Sequence, residues 1–324
     1  MIHEITPLRY SLETETNRTM NEFEYIAWLR QQTKLSPGVL VGPGDDCAVL
    51  VGTGATPTLV TTDMLLEGSH FRLSETTPFR IGRKAMAVNV SDIAAMGGTP
   101  TFAFMSVGLP RGGAGEIATE LYRGMRDIAD RFGVVIAGGD TNSWTGGLVV
   151  SVTLLGTPGP QGPILRSGAR AGDWLFVTGP LGGSIRGKHF DFIPRVVEAR
   201  QLQDHANIHA MIDLSDGLAG DVGHICVESG CGVELYSEQI PITEAAQATN
   251  DGRTPTEHAL SDGEDFELAF AVSREDGQKL LASQPIPGVK LTAVGLFLRE
   301  PGMWLVEGGA RRQIAPRGFI HAFE

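Results

Sequence analysis

Hydrophobic positions along the chain follow two rhythms, one of about 3.6 residues and one of two. In "NEFEYIAWLRQQT" Phe23, Ile26, Ala27 and Leu29 fall to one side, which predicts a short amphipathic helix. "CAVLVG" and "TLVTTDM" read as strands around a turn. "PFRIGRKAMAVNVSDIAAMGG" opens on a proline and stops at paired glycines, a good helix signature. "TFAFMSVGL" follows as a strand, "AGEIATELYRGMRDIADRFG" as a helix, and "VVIAGGD" and "LVVSVTLLG" as strands. The stretch "TPGPQGPILRSGARAGD", 157–173, is rich in proline and glycine and marks a junction between domains. Beyond it the alternation resumes. "WLFVTG", "HAMIDL", "VELY", "FELAFAV" and "LTAVGLFL" are strands, while "PRVVEARQLQ", "GLAGDVGHICVESG" and 274–283 are helices. The pattern predicts a loose polar tail at 1–20, an N-terminal domain over 21–157 and a C-terminal domain over 158–324. Each is α/β or α+β, with the direction of the strands left open.

The acidic residues sharpen this picture, because many fall at the ends of these elements. Asp45 and Asp46 sit in "GPGDD" before a strand, and Asp63 and Asp140 close "LVTTD" and "VVIAGGD". Glu264 and Asp265 belong to "SDGEDFE". Most pointed is "MIDLSDGLAGD", which puts Asp213, Asp216 and Asp221 within nine positions directly after an apolar run. A carboxylate at a strand end projects into the crevice where α/β proteins bind ligands. Any one aspartate there is also at home as a turn or cap residue, and Asp216, directly before "GLAGDVGHI", is a candidate helix cap. Asp92 is harder to explain that way. Its helix is apolar on its other faces, and a buried carboxylate needs a partner or a cation. Oxygen ligands without a Cys or His cluster suit a hard cation, magnesium above all. Several magnesium ions among aspartates hold and neutralise a polyphosphate.

Composition narrows the partners. A net charge of -12 argues against nucleic acid or an anionic membrane as the main partner. Apolar runs fall short of the roughly 18 residues of a membrane span, and the N-terminus has no secretory pattern. Cys47, Cys226 and Cys231 share no metal-ligand spacing and are too few for a disulfide framework, which suits reduced thiols in a cytoplasm.

Taken together, "GPGDDCAVL", "TTDMLLEGSHF", "KAMAVNVSDIAAMGGTP", "GGDT", "LRSGARAGDWLFVTG", "IDLSDGLAGDVGHI" and "GEDFELAF" resemble, in order and spacing over 21–324, the thiamine-monophosphate kinase family. That family belongs to the superfamily of aminoimidazole ribonucleotide synthetase and selenophosphate synthetase. The resemblance implies an N-terminal α/β domain that pairs with its copy in a homodimer, and a C-terminal α+β domain over the nucleotide. It implies ATP-dependent phosphorylation of thiamine monophosphate to thiamine diphosphate, by direct in-line transfer without a phospho-enzyme. By motif match, Asp46, Thr61, Thr62, Asp63, Asp92, Asp140, Asp213 and Asp216 look like magnesium ligands. Gly139, Asp140, Arg166 and Ser215 look like ATP contacts. His70, Glu264 and Phe319 look like the thiamine-phosphate side, where Phe319 could stack on the thiamine ring.

There are departures. Ser143 stands where the family has a phosphate-binding arginine, and Asp262 where it has glycine. The segment "PLGGSIRGKHFDFIPRV" is shorter than its family counterpart, which touches the lid over the substrate more than the metal site. Within it "GGSIRGKH" mimics a phosphate loop, but His189 replaces the Ser or Thr that would bind magnesium. Two further readings stand beside the kinase. One is another ATP-using superfamily member with a different acceptor, and the other is a non-catalytic nucleotide-binding regulator. "GFIHAFE" has no cysteine tail and no reactive cysteine precedes Cys47, which disfavours the hydrogenase-maturation and selenophosphate branches.

Overall fold

The computed structural model describes residues 22–33, 36–52, 56–316 and 318. The tail expected at 1–20 and the aromatic ring expected at Phe319 lie outside the described residues. The N-terminal half runs α1 (Glu22–Gln32), β1 (Val39–Val41), β2 (Ala48–Leu50), β3 (Thr58–Leu66), α2 (Pro78–Ala95), β4 (Thr99–Pro110), α3 (Ala114–Phe132), β5 (Val135–Trp144) and β6 (Val149–Thr157). The C-terminal half begins with β7 (Trp174–Val177), α4 (Lys188–Asp191), α5 (Val196–His205), β8 (Ile208–Asp213), α6 (Leu218–Ser229) and β9 (Gly232–Tyr236). It continues with α7 (Glu244–Gln247), α8 (Pro255–Ser261), β10 (Leu268–Val272), α9 (Arg274–Ser283), β11 (Thr292–Leu298), β12 (Gly302–Glu307) and β13 (Ala310–Ile314).

Each half builds its own sheet, ordered β1-β2-β3-β6-β4-β5 in the first and β13-β12-β9-β11-β7-β10-β8 in the second. Strand direction, open in the sequence, is mainly antiparallel, with β4–β5 and β9–β12 parallel. Period-two alternation sorts the first sheet cleanly. Leu59, Ala103, Val107, Val150, Val152 and Leu154 face the core, while Met64, Phe102 and Phe104 face outward.

Helix α2 holds the halves together. Thr77 caps it by accepting the Arg80 N–H at 3.3 Å, Pro78 opens it, and Gly97, at φ +64°, follows its end. Its Ile81, Met86, Ile93 and Ala94 are fully buried, and the helix is buried nearly all round, its polar Arg83, Lys84, Asn89 and Ser91 included. Each such Ile or Met contributes about 1.5–3 kcal/mol relative to exposure. It packs on α3, β3 and β6 on one side and on α4, α5 and β8 on the other. The α2–α3 approach depends on two glycines. A Cβ on Gly82 would lie 1.9 Å from the Leu121 carbonyl oxygen, and one on Gly124 would lie 1.8 Å from that of Phe79. The second sheet offers Phe176, Met211, Leu268 and Phe270 to this same core, and Leu175, Ile212 and Ala269 to α6 and α8 behind it.

Three local expectations change. Helix α1 forms where the spacing predicts, but Tyr25, Ile26 and Trp28 remain exposed, and the Phe23 side chain lies outside those described. Ile26 and Ala27 border a cavity instead of entering a core. Local propensity puts Asp63 and Asp140 at strand ends, yet β3 runs on to Leu66 and β5 to Trp144, so both sit mid-strand. The apolar run Met64–Leu66 continues the pairing with β6 past the aspartate. Asp216 does not cap α6. Gly217 holds the cap position, and Asp221, from the first turn, accepts the N–H groups of Asp216 and Gly217 at 3.1 and 3.0 Å.

Candidate active site

A cavity of about 710 Å³ opens at the seam where β3, α2, β8 and α6 meet. Helical periodicity delivers Lys84, Val88 and Asp92, four residues apart, to this one face of α2. The end of β8 delivers Asp213, the "GPGDD" turn Asp46, and β3 Thr61 and Asp63. Carboxylate oxygens of Asp46, Asp92 and Asp213 lie within 4.8 Å of one another. Neighbours aim them. Ser91 donates to Asp213 at 2.6 Å, Thr61 donates to Asp92, and Asn89 accepts the Asp63 N–H at 3.2 Å. The Arg166 guanidinium donates to Asp46 Oδ1 at 2.8 Å, and its backbone N–H donates to Asp45. Asp46 Oδ2 is buried and finds no hydrogen-bond partner among the described residues.

Like charges this close, out of water, are costly, and protons relieve them. Burial, with Asp63, Asp213 and Asp46 adding repulsion, holds Asp92 well above the usual carboxylate range. Burial, with Asp46, pushes Asp213 up to about 8. Burial raises Asp63 as well. Three converging acidic oxygens with one orphaned acceptor suit a hard divalent cation, which would displace those protons.

This sets a pH dependence of stability in metal-free protein. An unfolded aspartate releases its proton near pH ~3.9, whereas folded Asp213 keeps it up to about 8. Between those values the folded state holds more protons, so its stability is full below the window and declines as pH rises through it. With chelator, the melting temperature should fall between about pH 5.5 and about pH 8.5, by on the order of 5 °C. Added Mg2+ should raise it most at the alkaline end. Scanning fluorimetry reads this, and a metal-free melting temperature that rises with pH over that range would reject the account.

The other end of the cavity carries Lys84, His70, Glu264, His189 and Phe266. Lys84, only 1% exposed, forms an ion pair with Glu264 and reaches the His70 carbonyl oxygen at 3.4 Å. Burial lowers its pKa, with Glu264 opposing. His70 Nδ1 accepts the Leu66 N–H at 3.0 Å, which leaves its Nε2 as the protonated nitrogen of the neutral ring. Glu264 and Phe266 adopt left-handed φ of 58° and 49°, costly for non-glycine residues and typical of functional sites. Ser215 and Leu214 carbonyls hold them, accepting their N–H groups at 2.7 and 2.8 Å, and Phe266 stacks on Phe192.

The glycine-rich segment before Pro194 has no free cradle. Gly182 and Gly183 already donate their N–H groups to Asp265 at 2.8 Å and Asp262 at 2.9 Å, and Lys188 pairs with Glu267 at 3.1 Å. It docks on α2, where Arg83 donates to the carbonyls of Phe190 and Phe192 at 2.9 and 3.0 Å.

Of the residues singled out in the sequence, Asp46, Thr61, Thr62, Asp63, His70, Asp92, Arg166, Asp213, Ser215, Asp216 and Glu264 line this one cavity. Gly139 and Asp140 do not. They lie exposed on β5 at the sheet edge, where Asn142 donates to Asp140 at 2.8 Å. Sequence reasoning passes over Lys84, Ser91, Asn89 and the role of Asp221. Lys84 could be found as a charge eight residues, about two helical turns, before Asp92 on the same face of the helix. Asp221 stands out among the crowded aspartates, but nothing local reveals that it orients the turn.

Comparison with known proteins now adds its weight. Residues 44–157 match the family model for AIR synthase related protein, N-terminal domain, and 170–295 the model for its C-terminal domain. The chain is 43% identical over 310 residues to thiamine-monophosphate kinase of Rhodopirellula baltica, covering 93% of this chain and 97% of that protein. It is 38% identical over 327 residues to thiamine-monophosphate kinase of Mycobacterium tuberculosis, covering 94% and 93%. The structure of AaThiL complexed with AMPPCP and TMP matches with a TM-score of 0.81 at 28% identity, over 95% of this chain and all of that one. Fold, cavity and near full-length identity agree, and the chain belongs to the thiamine-monophosphate kinase family.

Proposed function

We propose that this protein transfers the γ-phosphoryl group of ATP to thiamine monophosphate, giving thiamine diphosphate by direct in-line attack of the acceptor phosphate. The observation that carries the reading is the union, in one cavity, of the Asp46–Asp92–Asp213 cluster with the Lys84–Glu264 pair at the other end. Phosphoryl transfer asks little covalent chemistry of a protein and much positioning and charge balance. Asp46, Asp92 and Asp213 would hold magnesium, with Thr61, Thr62, Asp63 and Asp216 of the same cavity completing the ligand set, while Asp140, outside the cavity, would join it only across a dimer interface. Bound magnesium supplies the positive charge that neutralises the polyphosphate. Arg166 and Ser215, with Gly139, would contact ATP. His70, Glu264 and Phe319 would recognise thiamine monophosphate. The strained backbone at Glu264 and the burial of Lys84 against its solvation cost favour catalysis over a regulator that merely binds nucleotide.

A homodimer accounts for two features at once. Met64, Leu66, Phe102, Phe104 and Trp144 expose a run of large apolar side chains on the outer side of the first sheet and its edge. Pairing of these faces would cover them and bring Gly139 and Asp140 against a second copy. Light scattering at micromolar concentration should give a dimer, and Phe104→Asp should give a monomer. A wild-type monomer would end this part of the reading. No described helix is long and apolar enough to cross a membrane, and three buried free cysteines fit a reducing cytoplasm. We infer a domain boundary at 157/158, a reading supported by the end of β6 at Thr157 and the start of β7 at Trp174. Purified protein with ATP, Mg2+ and thiamine monophosphate tests the whole. Thiamine diphosphate should appear by chromatography, with none from thiamine itself, and absence of product refutes the proposal.

A further inference from the structure

The loop at 182–187 is held from below by two carboxylates. One, Asp265, accepts the Gly182 N–H at 2.8 Å and is bonded by the Ser184 hydroxyl. The other is Asp262, whose Oδ2 accepts the Gly183 N–H at 2.9 Å. Asp262 is itself clamped from outside. Arg253 meets its Oδ1 at 2.9 Å, and His258 Nδ1 meets its Oδ2 at 2.9 Å. Asp251 backs both, at 3.1 Å from Arg253 and 3.3 Å from His258. The Asp262 side chain is 6% exposed and His258 is 2% exposed, so water competes little for these bonds.

What the clamp holds matters to the cavity. Ile185, directly beyond the anchored glycines, is 63% exposed although large and apolar, and it lines the cavity. His189 closes the same loop by bonding the Ser184 carbonyl at 2.8 Å, and it lines the cavity beside Lys84 and Glu264. The backbone at Gly182, Gly183 and Gly187 has positive φ, so the loop has many alternative shapes to lose. Its position therefore depends on what its two N–H groups bind. An exposed Ile held at a cavity rim is a ready apolar contact for a heterocyclic ring that enters there.

We propose that Asp262 is a positioning residue for the acceptor, fixing the 182–189 loop so that Ile185 and His189 stand against the thiamine moiety. This rests on the thiamine-monophosphate reading of the cavity and deepens it. The nucleotide end, at Asp46, Asp213 and Arg166, lies outside the clamp. Asp262 itself borders the cavity, and it acts on the acceptor through the loop that it holds.

The test compares Asp262→Gly with Asp262→Asn, which keeps a side-chain oxygen for the Gly183 N–H. Asp262→Gly should raise the KM for thiamine monophosphate about tenfold and leave the KM for ATP within about twofold. Asp262→Asn should recover most of that loss. Hydrogen exchange gives an activity-independent reading: amides of 182–189 should exchange about tenfold faster in the Gly variant and near the wild-type rate in the Asn variant. If Asp262→Gly does not fold, Arg253→Gln, which loosens the clamp from its exposed side, should raise the KM for thiamine monophosphate about threefold with ATP unaffected. Equal KM changes for both substrates, an unchanged KM for thiamine monophosphate, or an Asn variant as poor as Gly would overturn the proposal. Wild-type protein that makes no thiamine diphosphate would instead refute the functional reading, and the exchange measurement would still decide whether Asp262 holds the loop.

Discussion

Asp213→Asn and Asp63→Asn should each lower turnover at least on the order of 100-fold at saturating magnesium and substrates, because one neutralised ligand unbalances the charge on the transferring phosphate. The amide is nearly isosteric, so shape is not the variable. In Asp213→Asn the new amide oxygen can still accept the Ser91 hydroxyl, which donates to Asp213 at 2.6 Å. Removing an acid from a crowded cluster also relieves repulsion, since Asp213 is pushed up to about 8 by burial and by Asp46. Metal-free variants should therefore melt no lower than the parent while losing activity. That divergence separates a ligand role from a structural one. Near-wild-type turnover in both variants would sink the assignment of the cluster.

The parts of this fold that announce themselves are those with local causes. Helix α2 is legible from Pro78 to the paired glycines because caps and breakers are local, and the structure ends it at Ala95. Strand β8 ends at Asp213 as its apolar run ends. Helix α9 occupies Arg274–Ser283, the span expected. Where a strand outruns its apparent stop, as at Asp63 and Asp140, the cause lies in the partner strand. Pairing with β6 and β4 carries the ladder past an acid that local propensity would use to end it. The sheet order is not legible, because neighbours such as β10 and β7 are about ninety residues apart in sequence. The same holds within the site. Spacing gathers Asp46, Asp92 and Asp213, since each belongs to a motif of its own. Lys84 opens the same motif as Asp92, but nothing local marks it as a partner of Glu264, and that pairing spans half the chain. The glycine-rich decoy can be doubted from His189, but that Asp262 and Asp265 consume its N–H groups needs coordinates.

Lys84→Met should lower the melting temperature by less than about 10 °C, while lowering activity on the order of 100-fold, because a preorganised charge at a transferring phosphate is worth several kcal/mol. The stability half follows from burial. The Lys84 side chain is 1% exposed against 25% for Glu264, so the ammonium bears most of the desolvation cost of the pair. Methionine matches its length and would pack on Phe190, over whose ring the ammonium now lies 5.4 Å from the centroid. Glu264 is a quarter exposed overall, which limits the cost, but the Oε2 that pairs with Lys84 is buried and loses its partner in the variant. The activity half follows from the cations that line the cavity. Arg166 is engaged by Asp46 and Arg30 by Glu228, both away from the Glu264 end. Lys84 is the lysine or arginine that the cavity lining offers at that end, where an acceptor phosphate would arrive with its own negative charge. A residue retained there against its solvation cost serves the substrate more than the fold. Paired measurements of melting temperature and turnover decide it. A methionine variant that keeps its activity would remove Lys84 from the reaction, and one that melts more than about 10 °C lower would make it a structural residue.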